Sequence, residues 1–307
     1  MNNLERICGC SVIRRAVLPI LFVLALTMAA APGAEAGVVR DQWGRSVSVP
    51  ENPVRVVSLA PSITEIVFAL GEGHRLKGVT RHCDFPPEAQ SLPRVGSYVH
   101  LDLERIVALE PDLCIATRDG NPRDVVDRLE ALGIPVYVVN PGNLEAIVDA
   151  CVEIGRLLNA GQKAAALAED MRARIDRVKS RVSGAKHRPE VFLQIGIVPI
   201  VSAGSNTYID ELITTAGGKN LAGGPTPYPR FSREQVLASQ PEVLLITTMT
   251  QGEQSAQAMD EWKQYTGMPA VKNNRIYIVE SNIFDRPTPR LVDALETLAR
   301  IIHPELF

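Results

Sequence analysis

The sequence predicts an α/β fold of two similar lobes, each built on a parallel sheet, with one long helix joining them and a cleft between them. Three observations indicate this fold. Apolar strands alternate with helical segments, residues 103–117 and 233–247 read almost alike, and a single amphipathic segment of helical period separates the halves. The 307 residues are enough for two domains of ordinary size.

The first 36 residues have the pattern of a cleaved secretory signal peptide. Two arginines precede the apolar run "AVLPILFVLALTMAAA", and a small-x-small site, "AEA", ends at Ala36. A transmembrane anchor is the alternative, but the run contains Pro19 and is shorter than the roughly 20 apolar residues that a membrane span needs. The mature chain is expected to begin at Gly37 and to be a soluble exported protein.

The net charge and the cysteine content limit the binding partners and the disulfide bonds that the chain can have. The whole chain has a formal net charge of −3. Cleavage of the signal peptide would take away three arginines and two glutamates and leave a net charge of −4 on the mature chain. A negative net charge argues against a nucleic-acid partner. The mature chain keeps Cys83, Cys114 and Cys151, so at most one disulfide is possible. Because Cys114 lies in an apolar strand and Cys151 in a helical pattern, buried free thiols are expected, and Cys83 with Cys114 is the pairing to check for a disulfide.

The strands and helices of the two lobes follow the same order. In the first lobe a strand, "VRVVSLAP", is followed by a helix, "SITEIVFALGEG", and by the strands "LKGVT", "DLCIA" and "IPVYVVN". In the second lobe "EVFLQIG", "TYIDELITTAGG", "EVLLIT" and "RIYIVE" repeat this order. Strands that are apolar on both faces are typical of a covered parallel sheet. The predicted domains are the signal peptide, 1–36, the first lobe, 37–160, the connecting helix, 161–184, and the second lobe, 185–307.

The connecting segment predicts one long helix. Its apolar residues recur at steps of three and four, namely Leu167, Met171, Ile175, Val178 and Val182. On the charged face, Asp170 with Arg174 and Arg172 with Asp176 have the spacing of ion pairs along a helix. Because one rigid helix resists hinge motion, we expect limited closure on ligand binding.

The two similar phrases each predict a short capped helix that leads into a buried strand. Glu104 and Glu234 occupy equivalent positions in the first turn, after the cap residues Asp102 and Ser232. A carboxylate in a first turn stabilises a helix by about 0.3 to 1 kcal/mol, so helix stability is one explanation for both glutamates.

The ends of four predicted strands locate the cleft. Ligands in parallel α/β sheets lie beyond the carboxyl ends of the strands. The loops after Ser58, Thr117, Gln194 and Thr247 are therefore expected to face the cleft between the lobes.

Several stretches carry a family resemblance: "VVSLAPSITEIVFALG", "HCDFPPEA", "LERIVALEPDL", "FLQIGI", "FSREQVLA" and "FDRPTPR". Together they resemble the class III, helical-backbone family of substrate-binding proteins of ABC importers, and "FLQIGI" and "SREQVLA" are nearest to its cobalamin branch. The resemblance covers nearly all of the mature chain. It implies a periplasmic receptor with Rossmann-like lobes that binds a corrinoid without catalysis and delivers it to an ABC permease and its ATPase. A ferric siderophore or haem is the alternative ligand, and a monomer is expected.

The resemblance also implies roles for individual residues. Ligand contacts fall on His82, Phe85, Tyr98 and Thr117 of the first lobe and on Tyr228, Phe284 and Arg286 of the second. Tyr98, Tyr228 and Thr117 stand where the family has tryptophans, and His82 stands for a tyrosine, so two aromatic walls are altered. Glu104 and Glu234 fall where the family pairs one glutamate per lobe with arginines of the permease.

Two of these residues have further interpretations. A neutral His82 imidazole would be able to coordinate the metal of the ligand, whereas a loop histidine that only forms hydrogen bonds is the simpler interpretation. Arg286 is expected to hold a polar edge of the ligand or a carboxylate of the protein, and a surface salt bridge is the alternative.

Motifs of the common enzyme classes are not found in the sequence. It contains no GxSxG elbow, no Walker phosphate loop and no HExxH pair, and its five histidines show no paired metal-ligand spacing. A periplasmic enzyme that processes corrinoids or hydrolyses its substrate remains the remote alternative.

Overall fold

The computed structural model describes residues 36–247 and 253–307. The predicted signal peptide lies outside these residues except for Ala36, and the loop after Thr247 also lies outside them. The described residues form two α/β lobes and a long helix, which confirms the predicted fold class. Within these two ranges, no helix combines the length and the apolar character that crossing a membrane requires.

The N-terminal lobe contains a parallel sheet with helices against both faces. An antiparallel hairpin of β1 (Ala36–Arg40) and β2 (Ser46–Pro50) precedes it. The sheet has the strand order β4-β3-β5-β6, with β3 (Val56–Ser58), β4 (Leu76–Val79), β5 (Leu113–Thr117) and β6 (Val136–Val139). Its helices are α1 (Pro61–Ala69), α2 (Leu103–Ala108), α3 (Arg123–Ala131) and α4 (Leu144–Leu157).

The C-terminal lobe repeats this arrangement. Its parallel sheet has the order β12-β11-β7-β9, with β7 (Glu190–Gln194), β9 (Lys219–Asn220), β11 (Val243–Ile246) and β12 (Ile276–Ile278), and β8 (Ile200–Val201) pairs with β10 (Arg230–Phe231). When the strands are numbered in chain order within each four-stranded sheet, both sheets have the order 2-1-3-4. The helices that follow the connecting helix are α6 (Tyr208–Thr215), α7 (Arg233–Ala238), α8 (Glu253–Lys263), α9 (Pro269–Lys272), α10 (Ser281–Phe284) and α11 (Leu291–Ile302).

The connecting helix, α5 (Gly161–Val182), lies against both lobes. Of the apolar residues predicted for its buried face, four are buried and Leu167 is partly buried. The predicted ion pairs along its charged face were wrong. Arg172 instead pairs with Glu145 and Asp149 of α4, and Arg174 pairs with Asp293 and Glu296 of α11.

One apolar core runs through the molecule. It joins the inner face of the first sheet, the buried face of α5 and the inner face of the second sheet, with Ile115, Met171 and Leu245 as representatives. Two smaller clusters cover the outer faces of the sheets. Since the lobes share this core, a large change in their relative position would expose apolar surface, which supports the expectation of limited closure.

The repeated phrases fold alike. The Asp102 side chain accepts from the Arg105 N–H at the start of α2, and Ser232 and Gln235 form a capping box at the start of α7. After each helix, the residue before the proline has a positive φ, 46° at Glu110 and 51° at Gln240. The predicted caps are confirmed.

The three described cysteines are buried free thiols. Cys83 packs with the inner core, where its sulfur lies 3.1 Å from Thr64 Oγ1 and 3.2 Å from Thr80 Oγ1. Cys114 lies in the cluster on the opposite face of the sheet, so a bond between Cys83 and Cys114 does not form. Burial raises the pKa of all three thiols, which keeps them protonated.

Candidate functional site

A cleft of about 350 Å³ opens at the carboxyl ends of the first sheet and is closed on its other side by residues of the second lobe. The strand order of each sheet reverses between two inner strands, β3 and β5 in the first and β7 and β11 in the second, and parallel α/β sheets bind ligands beyond the carboxyl ends of the strands at such a point. The first lobe lines the cleft with Ala60, Pro61, Ser62, His82, Tyr98, Thr117, Asp119, Gly120 and Pro141. The second lobe lines it with Tyr208, Tyr228, Ser281, Asn282, Asp285, Arg286 and Pro287.

The structure brings together five of the seven residues for which ligand contact is predicted, namely His82, Tyr98, Thr117, Tyr228 and Arg286. The other two lie elsewhere. Phe284 is 3% exposed in the shared core, because its turn of helix packs inward. Phe85 lines a separate cavity, where the Arg290 guanidinium lies 3.8 Å from the centre of its ring. The geometry does not favour contact of either phenylalanine with a ligand in the cleft.

A buried asparagine fixes the loops that carry Tyr98 and Thr117. Asn121 accepts a 2.8 Å hydrogen bond from the Thr117 N–H through Oδ1. Its Nδ2 donates to the carbonyl oxygens of Tyr98, at 2.7 Å, and Leu59, at 2.9 Å. A Cβ added at Gly120 would lie 3.0 Å from the Tyr98 ring, so glycine allows this ring to pack on the loop. The side chain of Asn121 therefore links three strand-end loops through main-chain atoms.

Arg286 belongs to a cluster of charges between the lobes. Its Nη1 donates to Glu65 Oε1 at 3.2 Å and to Asp84 Oδ1 at 2.6 Å, and its Nη2 donates to the His82 carbonyl. Arg290 donates to both oxygens of Glu65 at 2.8 Å. The Glu65 side chain is only 2% exposed. Of the predicted roles for Arg286, the structure shows the one in which it holds carboxylates of the protein.

These contacts influence the protonation of the neighbouring groups. Burial would raise the pKa of Asp84, but the hydrogen bond and charge of Arg286 outweigh it and hold this pKa below its usual value. Burial and the positive charges of Arg81 and Arg286 lower the pKa of His82. His82 is therefore a neutral imidazole at neutral pH, and its Nε2 accepts a hydrogen bond from Arg81 Nε at 3.2 Å. The rings of His82 and Tyr98 pack edge to face, with 6.1 Å between their centres.

Two carboxylates that line the cleft, Asp119 and Asp285, are not among the residues predicted from the sequence. Asp119 is exposed and follows β5 by two residues. Both oxygens of Asp285 are buried, and neither accepts a hydrogen bond from the part of the chain that the structure describes. Burial raises the pKa of Asp285 to about 6, although the hydroxyls of Thr247 and Ser281, which lie nearby but outside hydrogen-bond geometry, and the charge of Arg286 act in the opposite direction. The position of Asp119 just beyond a strand end was the available signal.

Tyr98, Tyr208 and Tyr228 line the cleft, and Tyr208 is also not among the predicted residues. Tyr208 is buried, whereas Tyr228 is 50% exposed. The pKa of Tyr208 lies well above its ordinary value because of burial and the nearby Asp285 carboxylate, and that of Tyr228 is raised because of burial and Asp119. Both phenols are therefore neutral and able to donate hydrogen bonds.

Glu104 and Glu234 lie on exposed first turns of α2 and α7. Neither forms an ion pair with the described residues, whereas their neighbours Arg105 and Arg233 pair with Asp102 and Glu261. The hydroxyl of Ser232 lowers the pKa of Glu234. Because each helix runs toward the start of the strand that follows it, both glutamates lie toward the same edge of their sheet as the cleft loops.

Comparison with known proteins gives consistent matches along the chain. The family model described as periplasmic binding protein matches residues 56–283. The chain is 34% identical over 252 residues to a vitamin B12-binding protein of Vibrio parahaemolyticus, an alignment that covers 81% of this chain and 90% of that protein.

Two solved structures are similar as well. The periplasmic vitamin B12 binding protein of Vibrio cholerae matches with a TM-score of 0.74 and 31% identity, over 83% of this chain and 98% of that one. A periplasmic heme binding protein from Pseudomonas aeruginosa matches with a TM-score of 0.75 and 29% identity, over 82% of this chain and 93% of that one.

Proposed function

Since this chain belongs to the periplasmic binding protein family, we propose that it is a receptor that captures a corrinoid of the cobalamin type and delivers it to an ABC importer. The corrinoid is a transported ligand, and the protein performs no chemistry on it. The predicted signal peptide would export the chain to the periplasm, where it acts as a monomer.

The observation that carries the proposal is a cleft lined with tyrosines from both lobes. Tyr98 comes from the first lobe, and Tyr208 and Tyr228 come from the second. A corrinoid is a large, mostly apolar disc with polar groups at its edge, and clefts that bind such ligands combine aromatic walls with a few polar side chains. Similarity to proteins named for binding vitamin B12 supports the same ligand.

The volume of the cleft is small compared with the size of a corrinoid. Pockets for drug-sized ligands measure about 300 to 1,000 Å³, so about 350 Å³ lies at the small end for a disc of this size. The ligand would therefore reach beyond the described lining or separate the lobes slightly. The small side chain of Thr117 in the cleft lining leaves room for a wide ligand.

Delivery requires recognition by the permease. We expect Glu104 and Glu234 to contact arginines of the permease, one from each lobe. Paired charges on a surface set orientation and encounter rate more than raw affinity, which suits a contact that must release after transport. Their exposure and lack of described ion-pair partners support this role over helix stability alone.

Calorimetric titration of the protein from Gly37 onward tests the ligand. Cobalamin, cobinamide, a ferric hydroxamate siderophore and haem are titrated in parallel, and we expect tight one-to-one binding of the corrinoids alone. Binding only of haem or the siderophore would show that the chain is a receptor of the same family for an iron-containing ligand. Recovery of an altered corrinoid after incubation would instead establish the enzyme alternative.

A further inference from the structure

We propose that the two carboxylates of the cleft select the ligand: Asp285 and Asp119 accept hydrogen bonds from amide groups at the edge of the ligand and repel carboxylates there. The inference rests on the proposed function, because it names the chemical class that the same cleft takes. Such a cleft would distinguish a corrinoid, whose periphery carries amides, from a porphyrin such as haem, whose periphery carries carboxylates.

Asp285 has two acceptor oxygens and no described donor in hydrogen-bond geometry, although the hydroxyls of Thr247 and Ser281 lie nearby. Both of its oxygens are buried at the cleft, and no described residue donates a hydrogen bond to them. An unsatisfied buried polar group is costly to a folded protein, and a ligand that supplies N–H donors removes this cost. An amide NH₂ has two donors, whereas a carboxylate has none.

The charges around the cleft act in the same direction. The charged side chains of the described lining are Asp119, Asp285 and Arg286, while His82 is neutral at neutral pH. Arg286 already donates to two carboxylates of the first lobe, Glu65 and Asp84. The described lining therefore offers a ligand carboxylate two like charges and a cation that is already paired.

The tyrosines strengthen this discrimination. The negative charges of Asp285 and Asp119 raise the pKa values of the nearby Tyr208 and Tyr228, and neither phenol is ionised. Apolar ring faces exclude water, and charges interact more strongly where water is excluded. Asp285, inside the cleft, is expected to have a larger effect than Asp119, which is exposed.

The test uses two ligands that differ in one group. Cyanocobalamin is compared with its monocarboxylic acids, in which one peripheral amide has been hydrolysed, by calorimetric titration at neutral pH. The wild-type chain should bind cyanocobalamin more tightly than at least one of the acids by about tenfold, which is the ratio for 1.4 kcal/mol. Asp285→Asn should reduce this ratio several-fold, and Asp119→Asn should reduce it less.

Each outcome decides the proposal. Equal ratios in the wild-type chain and both variants would overturn it while leaving the corrinoid receptor intact. Asp119→Asn keeps the test valid if the buried variant fails to fold, because Asp119 is exposed. If the wild-type chain binds neither probe, the proposed function fails, and the inference fails with it.

Discussion

Replacing Asp285 with asparagine should make the ligand-free protein gain stability relative to wild type as the pH rises. Burial raises the pKa of Asp285 from 3.8 to about 6. Between these two values the folded protein holds a proton that the unfolded chain has released. The free energy of unfolding therefore falls as pH rises through this window.

The magnitude follows from the size of the shift. Each pKa unit corresponds to 1.36 kcal/mol, so a rise of about two units costs the folded state about 3 kcal/mol once the pH exceeds 6. Asparagine keeps the shape of the side chain without the charge. Any cost of the new amide is independent of pH, so it cancels when the two pH values are compared.

Urea unfolding at about pH 3.5 and about pH 7.5 measures the effect. Relative to wild type, Asp285→Asn should be more stable at the higher pH than at the lower by about 3 kcal/mol. Asp119→Asn removes an exposed carboxylate of the same cleft and is the matched control, with little expected change. A difference for Asp285→Asn that is the same at both pH values would refute the reasoning.

Three further predictions concern other parts of the molecule. Reversing both charges in Glu104→Lys/Glu234→Lys should abolish uptake in a transport assay while ligand affinity stays unchanged. Normal uptake by this variant would exclude docking through the two glutamates. Glu169→Lys, on the exposed face of α5, is the control. Glu65→Gln should lower the free energy of unfolding by about 3 to 5 kcal/mol, because it leaves Arg286 and Arg290 without a buried partner. For comparison, breaking the exposed Arg128–Asp124 pair with Asp124→Asn should cost about 1 kcal/mol or less, and equal losses would contradict the importance of the cluster. Finally, His82→Ala should leave the visible spectrum of bound cyanocobalamin unchanged, since Nε2 of His82 already accepts from Arg81, and loss of a binding-induced shift would show coordination of the metal.

The sequence determined the parts of the structure that depend on neighbouring residues. Helical period identified the buried face of α5, and the cap residues Asp102 and Ser232 marked the starts of α2 and α7. These signals are local, since a cap acts within three residues and a helical face repeats within four. The repeated phrase carried this local information twice, and both copies fold in the same way.

Only the tertiary structure decided which partners distant side chains find. Arg174 has Asp170 one turn away, yet it pairs with Asp293 and Glu296. Long side chains reach whatever packs against their helix, and the sequence does not state what that is. The same reason explains why Phe284 is in the core and why Asp285, its neighbour, has buried oxygens at the cleft without a described donor. The positions of the strand ends in the sequence predicted where a cleft would form. Which charged side chains line that cleft depends on how the two lobes pack against each other.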